Sequence, residues 1–388
     1  MPEAVIVATA RTAIGRAYKG SLINVRPDDM AAFIVKSLLQ KVPQLDPKDI
    51  DDVIIGAANH AGEQNMNLGR NVAGLAGLPD TVPGTTVNRF CASSLQAIRI
   101  AMHAIRSGEG DVFVAGGVES VTRTLGVGFT ASDMNPRFTD PSRDDFINNM
   151  YIPMGLTAEN VAAKFDVSRA DMDEFAKLSQ DRAVEAQKNG FFAREIIPYL
   201  LPNGSVFEKD DGPRANTTIE VLASLPPVFS TEGKVTAGNS CPLNDGAAAV
   251  LVMSETKARS LGIAPLAKIL GSAVTGIAPE IMGVAPIDAI RKVLEITKLS
   301  ISDVDIVELN EAFAAQVLPV CRESGISIES QLNPHGGAIA LGHPFGMTGA
   351  RIMTTLINDL EVLDKTIGLE TMCVGGGQGM AMVIERLS

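Results

Sequence analysis

Short runs of apolar, mostly β-branched residues alternate along the chain with longer segments in which apolar residues recur every three or four positions. The short runs predict strands and the longer segments predict helices. The predicted strands are Ala4–Ala8, Asp52–Gly56, Thr85–Asn88, Asp111–Ala115, Ala247–Met253, Ala267–Ser272, Asp305–Leu309 and Met380–Glu385. The predicted helices include Pro27–Gln40, Ser93–Arg106, Arg169–Asn189, Pro286–Thr297 and Thr348–Asp359. This alternation favours an α/β fold of parallel sheets covered by helices.

The same order of elements occurs twice. An early segment runs from DDVIIG through VNRFCASSLQAIRIAMHAI to DVFVAGG, and a late one runs from DVDIVEL through LNPHGGAIALGHPFGMTGARIMTTLI to TMCVGGGQGMAMVI. In each, a turn rich in small residues opens a helix and a Gly-Gly turn follows, although the spacings match only loosely. We therefore predict a duplication whose two α/β halves bring their reactive turns to one central cleft.

The segment from about Val121 to Asn239 differs in composition from the two halves. It contains the stretch DMNPRFTDPSRDD, a charged helix and the loop LPNGSVFEKDDGPRANTT. Long irregular segments in compact proteins are usually functional or disordered. We expect this segment to be an insertion that covers the cleft.

Composition narrows the class of protein. Of the 388 residues, 46% are hydrophobic, only 4% are aromatic and 36 are glycine, which fits an aliphatic, glycine-rich α/β core. A formal charge of -12 argues against a nucleic-acid-binding surface, because phosphate contacts need clustered Lys and Arg. Apolar runs such as Ala247–Met253 are too short to span a bilayer.

The cysteines and the two termini indicate the compartment. Cys91, Cys241, Cys321 and Cys373 are scattered and form no CxxC pair, which fits a reducing compartment better than a disulfide framework. The N-terminal MPEAVIVATARTAIGR reads as a strand without a secretory signal, and the C-terminal ERLS does not match the SKL-type peroxisomal address. We expect a cytoplasmic protein.

Cys91 is the first candidate for chemistry. It follows a β-like run in VNRFCASSLQAI and stands at the start of a strongly helical pattern. Backbone N–H groups and the helix dipole at such a position favour a thiolate, which is the nucleophilic form of cysteine. The alternative is a small buried residue in a tight turn, because free cysteines are often buried.

A glycine-dense segment, NPHGGAIALGHPFGMTGAR, contains His335 and His343. A histidine held in a rigid loop beside a nucleophile can take its proton as general base. A metal site is disfavoured, because the two histidines lack a helical i,i+4 spacing and a nearby carboxylate ligand. A structural role remains the alternative for either histidine.

Two further motifs lie at strand ends. In TMCVGGGQGMA, Cys373 leads into Gly375, and backbone N–H groups in such a turn can form an oxyanion hole. The same glycine run matches neither common phosphate-loop pattern, so it is a weak nucleotide signal. In ELNEAFAAQ, Asn310 and Glu311 fall at the carboxyl end of a strand, the edge where open α/β sheets bind ligands. Asn310 could hold a water or donate to an oxyanion, or it could cap the following helix.

Together, VNRFCASSLQAI, NEAF, GGAIALGHPFGMTGAR and CVGGGQG resemble, in order and spacing, the defining motifs of thiolases. The similarity extends over essentially the whole chain, from VIVATARTAIGR through MGLTAENVA and TAGNSCPLNDGAAA to the C-terminus. The resemblance implies two thiolase-like βαβαβ halves that form a layered α/β/α/β/α core, with an inserted loop domain over the coenzyme A site. The implied units are residues 1–121 with 244–270, residues 271–388, and the insertion 122–243.

The resemblance implies a role for each matching residue. Cys91 matches the acylated nucleophile, His343 the base that activates it, and Cys373 the thiol that exchanges a proton with the α-carbon or with the departing coenzyme A. Asn310 matches the residue whose water, with His343, stabilises an enolate oxygen. The N–H groups of Cys91 and Gly375 match a second oxyanion hole. The residues implied near coenzyme A and the acyl group are Arg214, Cys241, Met154, Met282 and Phe313.

The activity that the resemblance implies is thiolytic cleavage of 3-ketoacyl-CoA, or the reverse condensation, through an acyl-enzyme on Cys91. Coenzyme A would be a cosubstrate, without a tightly bound cofactor or a metal. The family also implies a homodimer or homotetramer, with no nucleic-acid or membrane partner.

Some positions depart from the family pattern. CASS, at the nucleophile, matches neither the CGSG of many short-chain biosynthetic members nor the CSSG of degradative ones. Cys241 stands where many members carry a serine that contacts the cofactor, and a thiol is a poorer hydrogen-bond partner. Pro153, where some short-chain enzymes carry His, and GHPFGMTGAR favour degradation of 3-ketoacyl chains, with acetoacetyl-CoA synthesis as the alternative.

Other functions are compatible with parts of this pattern. A ketoacyl-synthase-like condensing enzyme would share the fold and could use His335 as a second histidine, but Cys373 and NEAF count against it. A non-catalytic acyl-CoA-binding protein has no need of this complete set of reactive residues. A redox sensor that joins Cys91 to Cys373 would need their sulfurs within bridging range.

Overall fold

The computed structural model describes residues 2–388. Its strands are β1 Ala4–Arg11, β2 Gly15–Arg16, β3 Asp52–Gly56, β4 Gly84–Val87, β5 Val112–Ser120, β6 Tyr199–Leu200, β7 Val206–Phe207, β8 Asn244–Ser254, β9 Ala267–Gly276, β10 Ile306–Leu309, β11 Ile367–Val374 and β12 Gln378–Arg386. Its helices are α1 Pro27–Gln40, α2 Leu68–Leu75, α3 Ser93–Ser107, α4 Val121–Thr124, α5 Met154–Lys164, α6 Arg169–Lys188, α7 Ile219–Ala223, α8 Glu255–Ser260, α9 Ala285–Thr297, α10 Ala314–Ser324, α11 Ala338–Leu341 and α12 Thr348–Val362. Every predicted element is present within a few residues of its expected ends, whereas the pattern does not predict β11, α2, α5 or α10.

The long strands divide their side chains between two cores, because successive residues of a strand face opposite sides of the sheet. In β1, Val5 lies in an outer core and Ile6 lies in a central core. In β12, Val383 faces a second outer core and Met382 faces the same central core. Burial on both faces explains why these strands read as continuous apolar runs.

Five layers follow from these three cores. Helices α1 and α2 cover the outer face of the first half, and α9 and α10 cover the outer face of the second half. Helices α3 and α12 pack against each other between the halves, where they fill the central core. This is the α/β/α/β/α order that the resemblance implies. Within residues 2–388, no helix combines the length and the apolar character needed to cross a bilayer.

The main sheet is mixed, so the prediction of parallel sheets is wrong. Its strand order is β10-β11-β12-β9-β1-β8-β5-β3-β4, with β2 paired to β8. The β1–β8, β5–β8, β9–β12 and β11–β12 pairs are antiparallel. Parallel neighbours need a crossover connection, usually a helix. Here β11 and β12 are joined by a glycine turn, and β5 reaches β8 only through the inserted segment.

The two halves of the sheet repeat one arrangement. In the first half, β3 pairs in parallel with β4 and β5, and β8 pairs antiparallel with β5 and β1. In the second half, β10 pairs in parallel with Leu332 and β11, and β12 pairs antiparallel with β11 and β9. This repeat agrees with the predicted duplication. The turn after β4, which carries Cys91, therefore corresponds to the segment after Leu332, which leads to His343.

The inserted segment between β5 and β8 contains helices α4 to α7 and the small β6–β7 sheet. Strand β9 runs from Ala267 to Gly276 and so crosses residue 270, where the predicted limit between the halves falls. A limit placed before β9 keeps that strand whole. The division into three units stays a prediction.

A buried polar cluster lies between β10, β11 and α12. Glu308 and Glu370 are direct cross-strand neighbours, and Arg351 Nη1 lies 3.7 Å from Glu308 Oε2. Besides burial, the charge of Asp359 raises the pKa of the neighbouring Glu308, and Asp359 also binds His335, with 2.5 Å between Oδ1 and Nδ1. Burial raises the pKa of Glu308, Asp359 and Glu370 well above the usual carboxyl range. One guanidinium cannot neutralise three carboxylates, so burial and mutual repulsion favour the protonated form of these groups.

Candidate active site

The predicted reactive residues meet at one edge of the sheet. Cys91 lies in a short 3₁₀ turn just before α3, and His343 lies in the loop before α12. Asn310 directly follows β10, and Cys373 is the last residue but one of β11. Because β10 and β11 are parallel, their carboxyl ends lie at the same edge. Open α/β sheets bind ligands at such edges.

His343 is buried, and its ring is held in one orientation. Its backbone N–H donates to Oδ1 of Asn244 at 3.0 Å. Nδ1 lies 2.7 Å from Oγ1 of Thr348, and that hydroxyl donates its proton to the carbonyl of Pro344 at 2.8 Å. Since Thr348 has no second proton to donate, Nδ1 carries the ring proton and Nε2 is left as an acceptor. Burial and then the charge of Arg351 lower the pKa of His343 to about 3, so the ring is a neutral base.

Asn310 faces the free nitrogen of that histidine. Its Nδ2 lies 3.4 Å from His343 Nε2. Its Oδ1 is buried without a hydrogen-bond partner among residues 2–388. The capping alternative is wrong, because α10 begins at Ala314 and Phe313 occupies its N-cap position. An amide N–H beside an imidazole nitrogen can hold an oxygen atom of a ligand or a water.

The backbone N–H groups of Gly375 and of Cys91 itself act on the thiol of Cys91. Both contacts lower its pKa, but burial outweighs them and raises the pKa to about 12. The packing around this sulfur therefore opposes the thiolate that the helix start favours, although Cys91 as a residue stays partly exposed in the turn before α3. This thiol needs a base to react.

Three of the four sulfurs lie near one another. After burial, the charge of a Cys91 or Cys241 thiolate raises the pKa of Cys373 further. Cys321 lies apart from this group, buried on α10 in the outer core of the second half. Among residues 2–388, no group of three or more His, Cys, Asp or Glu side chains is arranged to hold a metal ion.

The glycine turn after β11 packs closely on the turn of the nucleophile. A side chain at Gly375 would lie 3.5 Å from the ring of Phe90 and 3.9 Å from the sulfur of Met154. Gly377 has φ +79, and a side chain there would meet the carbonyl of Ile277 at 2.1 Å. This contact leaves no room for any residue but glycine.

Two family models match the chain: the thiolase N-terminal domain over residues 4–256 and the thiolase C-terminal domain over residues 263–386. The chain belongs to the thiolase family. A beta-ketoadipyl-CoA thiolase of Acinetobacter baylyi is 46% identical, with 100% of both chains covered. A 3-ketoacyl-CoA thiolase of Bacillus subtilis is 44% identical over 99% of this chain and 100% of that one. The crystal structure of the Bacillus anthracis acetyl-CoA acetyltransferase has a TM-score of 0.90 and 39% identity, covering 100% of this chain and 99% of that one.

These comparisons confirm the thiolase resemblance and the implied activity of a coenzyme A-dependent acyltransferase. Thiolytic cleavage of 3-ketoacyl-CoA is the reaction consistent with the family and with these relatives. Acyl-CoA is the corresponding substrate class.

A cavity of about 330 Å³ brings together two of the residues predicted near coenzyme A. Arg214 and Cys241 both line it, and the backbone N–H of Arg214 donates to Gln180 Oε1 at 2.8 Å. Arg16 and Lys19, which the sequence reasoning missed, line the same cavity. The signal that could have found them is two cations close together in the first loop of an acidic chain.

The remaining predicted pocket residues are divided between the site and the core. Met154 opens α5 and reaches Gly375. Phe313 is buried, with its ring edge against Phe229 at 6.2 Å between centroids. Met282 is buried in the outer core of the second half of this thiolase.

His335 does not belong to the reactive group. Its ring stacks on Phe191 at 3.6 Å between centroids, and its Nδ1 binds Asp359 Oδ1 at 2.5 Å. The alternative in which His335 supplies the second catalytic histidine of a condensing enzyme is therefore wrong. Its role in this thiolase is to cover the buried polar cluster.

Glu119 is a buried residue of the site that the sequence reasoning missed. Its carboxylate accepts from the backbone N–H of Ala58 and of Gly346, both at 2.9 Å, and from Gln64 Nε2 at 2.7 Å. It thereby ties the turn after β3 to the loop that carries His343. A single carboxylate at the end of an otherwise apolar strand is the signal that could have found it.

Proposed function

We propose that Cys91 is the residue that carries the acyl group, and that His343 is its base. Nε2 of His343 takes the thiol proton as Cys91 attacks the ketone carbon of 3-ketoacyl-CoA. The bond between that carbon and its neighbour breaks, leaving a shortened acyl group on Cys91 and the enolate of acetyl-CoA. The fixed tautomer of His343 is the observation that carries this assignment, because it leaves a neutral acceptor in a buried site.

Two oxygen atoms gain negative charge during this reaction, and each has groups beside it that would stabilise the charge. Asn310 and His343, through a water, stabilise the enolate oxygen, while the N–H groups of Cys91 and Gly375 stabilise the oxygen of the acyl thioester. Cys373 gives its proton to the enolate carbon and becomes a thiolate. It then takes the proton of an incoming coenzyme A, whose sulfur attacks the acyl group and displaces Cys91. The released Cys91 sulfur takes back its proton from His343. Protons and bonds therefore balance over the cycle.

We propose that the cavity lined by Arg16, Lys19 and Arg214 receives the phosphorylated part of coenzyme A. Three cationic side chains around one cavity are unusual on a chain of formal charge -12, and they complement the phosphates of the cofactor. Cys241, on the same wall, would lie beside the pantetheine chain. Met154, Met282 and Phe313 would bound the acyl and pantetheine groups from the side of the second half.

The direction that we propose is degradation of 3-ketoacyl chains, as in fatty-acid β-oxidation. The names of the relatives cover two kinds of acyl chain: beta-ketoadipyl-CoA, whose chain ends in a carboxylate, and 3-ketoacyl-CoA in general. The name of the Bacillus anthracis structure supports acetyl-CoA acetyl transfer as a second candidate reaction.

We also propose a cytoplasmic homodimer or homotetramer without a tightly bound cofactor. The strand β4 forms a free edge of the main sheet, and Met66 and Leu75 near it are exposed apolar residues, which supports self-association. Light scattering on the purified protein tests this proposal, and a monomer at micromolar concentration would contradict it.

The test of the proposed function is the steady-state thiolysis of acetoacetyl-CoA and of longer 3-ketoacyl-CoA esters. Parallel double-reciprocal lines, expected for an acyl-enzyme, should be seen with wild type and lost with Cys91→Ala. The variant Cys321→Ala removes a buried thiol outside the site and should keep the pattern. Faster cleavage of longer esters supports degradation, whereas activity confined to acetoacetyl-CoA supports the second candidate.

A further inference from the structure

A second cavity, of about 640 Å³, adjoins the turn that carries the nucleophile. Phe90, the residue before Cys91, lines this cavity. The ring of Phe90 is also the group that Gly375 approaches, so the cavity lies next to the oxyanion hole proposed for the acyl thioester. A chain longer than an acetyl group, attached to Cys91, has this space beside it.

The walls of this cavity are apolar. Leu125, Val127 and Phe129 come from the start of the inserted segment, and Tyr151 closes the far side. The ring of Tyr151 packs against Phe129 at 5.9 Å, and its edge contacts Phe138 at 5.7 Å. These side chains supply contact for methylene groups and no charge.

Two polar side chains along the same walls bind groups of the protein. The ring nitrogen Nε2 of His60 lies 3.0 Å from the carbonyl of Ala57, and the side-chain amide of Asn59 donates to Glu119 at 3.2 Å. The lining includes no Lys, Arg, Asp or Glu side chain. The nearest basic residue along the chain, Arg123, directs its guanidinium to Glu63 instead.

We propose that this cavity receives the distal end of the acyl chain on Cys91 and selects an uncharged aliphatic chain over one that ends in a carboxylate. The inference rests on the proposed acyl-enzyme. A carboxylate moved against walls that carry no Lys or Arg side chain loses hydration without an ion pair to compensate for it. Each methylene moved onto the apolar walls is stabilised instead, which raises kcat/KM by up to about fourfold per group.

A pair of esters of equal chain length tests this selection. 3-Ketohexanoyl-CoA and 3-ketoadipyl-CoA differ only in the terminal methyl or carboxylate. The expected ratio of their kcat/KM values is at least about tenfold in favour of 3-ketohexanoyl-CoA. Equal values, or faster cleavage of 3-ketoadipyl-CoA, would overturn the proposal.

Two variants show whether the selection arises in this cavity. Val127→Arg places a cation on its wall and should raise kcat/KM for 3-ketoadipyl-CoA, so that the ratio falls by at least about fivefold. Val127→Gln is the neutral control of similar shape and should leave the ratio within about twofold of wild type. Val127 is half-exposed on a loop, so neither change threatens the core. A ratio that shifts equally in both variants, or in neither, would contradict the assignment.

Acetoacetyl-CoA separates failure of this inference from failure of the proposed function. Its acyl group is too short to reach the cavity, so both Val127 variants should cleave it at the wild-type rate. If acetoacetyl-CoA is cleaved but the hexanoyl and adipyl esters do not differ, only the selection is wrong. If no ester is cleaved by the wild type, the proposed function itself is wrong.

Discussion

The hydroxyl of Thr348 determines which nitrogen of His343 is free to act as a base. Its oxygen lies 2.7 Å from Nδ1 and cannot donate to it, because its proton is used on the carbonyl of Pro344 at 2.8 Å. The first residue of α12, five positions along the chain, therefore determines which nitrogen of the histidine carries the proton. This contact joins the start of α12 to the ring that faces Asn310.

The first prediction follows from this contact. Thr348→Val keeps the shape of the side chain and removes the hydroxyl, so the ring can flip or change tautomer. Acylation of Cys91 should slow by about 10- to 100-fold, measured as the pre-steady-state burst. Thr348→Ser restores the acceptor and should recover most of the rate. A Thr348→Val burst as fast as that of wild type would remove the tautomer argument.

The second prediction concerns acid pH. Burial lowers the pKa of His343 to about 3, so the base stays neutral throughout the range above that value. The rate of acylation should then show no loss near pH 6.5, the pKa of an ordinary histidine. Because the pKa of His343 is lower in the folded protein than in the unfolded one, its neutral form contributes to the free energy of unfolding at any pH above the unfolded-state pKa. That contribution is lost as the pH falls towards the folded-state pKa. An acid limb with an apparent pKa near 6.5 in the acylation rate would contradict this assignment.

The third prediction concerns the buried pair Glu308 and Glu370. Burial raises the pKa of Glu370, so its contribution to stability is present at acid pH and is lost as the pH rises from the unfolded-state value towards the folded one. Glu370→Gln should therefore raise the melting temperature, by more at about pH 9 than at about pH 5. The expected gain in the free energy of unfolding is on the order of 1 kcal/mol, because neither carboxyl oxygen of Glu370 has a hydrogen-bond partner among residues 2–388.

Glu311→Gln is the matched control for that variant. Glu311 is equally buried, but it accepts from Ser179 at 2.6 Å, from Asn333 at 2.8 Å and from the backbone of Ile339 at 3.1 Å. Its amide replacement should lower the melting temperature, because an amide cannot accept at both positions. A loss of stability in Glu370→Gln at every pH would mean that Glu370 is ionised and paired with Arg351.

The fourth prediction concerns the cationic cavity. Lys19→Gln should raise the KM for coenzyme A by about three- to tenfold while kcat stays within about twofold, because an exposed phosphate contact contributes to binding rather than to the chemical step. The effect should be smaller with dephospho-CoA or at high salt. Lys188→Gln, an exposed lysine at the end of α6, is the control and should leave the KM unchanged. Equal KM values for both variants would place the phosphates elsewhere.

The sequence predicts the long helices from the spacing of their apolar residues, and it predicts most of the long strands from their short apolar runs. Strand β11 is not predicted because Glu370 interrupts its apolar run. The residues beside Glu370 in the fold, Glu308 and Arg351, are distant from it in sequence. Helix α10 is not predicted because Pro319 lies inside it, and proline in a sequence indicates the end of a helix. Local patterns cannot show that Glu308 of β10 and Arg351 of α12 come to lie beside Glu370.

The reactive residues were identifiable from their motifs, but their electrostatics were not. Position at a helix start favours a thiolate at Cys91, whereas the packing around the sulfur acts in the opposite direction and raises its pKa. The partners of His343, namely Asn244 and Thr348, come from separate segments that only the fold brings together. Glu119 and the cations Arg16 and Lys19 carry weak signals in the sequence, but their partners and their common cavity appear only once the loops are placed.

The measurement that tests the account most directly is the mass of the intact protein after incubation with a 3-ketoacyl-CoA ester in the absence of free coenzyme A. Wild type should gain one acyl group, mapped by peptide digestion to Cys91, and release it when coenzyme A is added. Cys373→Ser should still be acylated by the shortened acyl-CoA but should fail to cleave the 3-ketoacyl ester. Acylation of Cys91→Ala, or an acyl group mapped to Cys241 or Cys373 in wild type, would contradict the central claim.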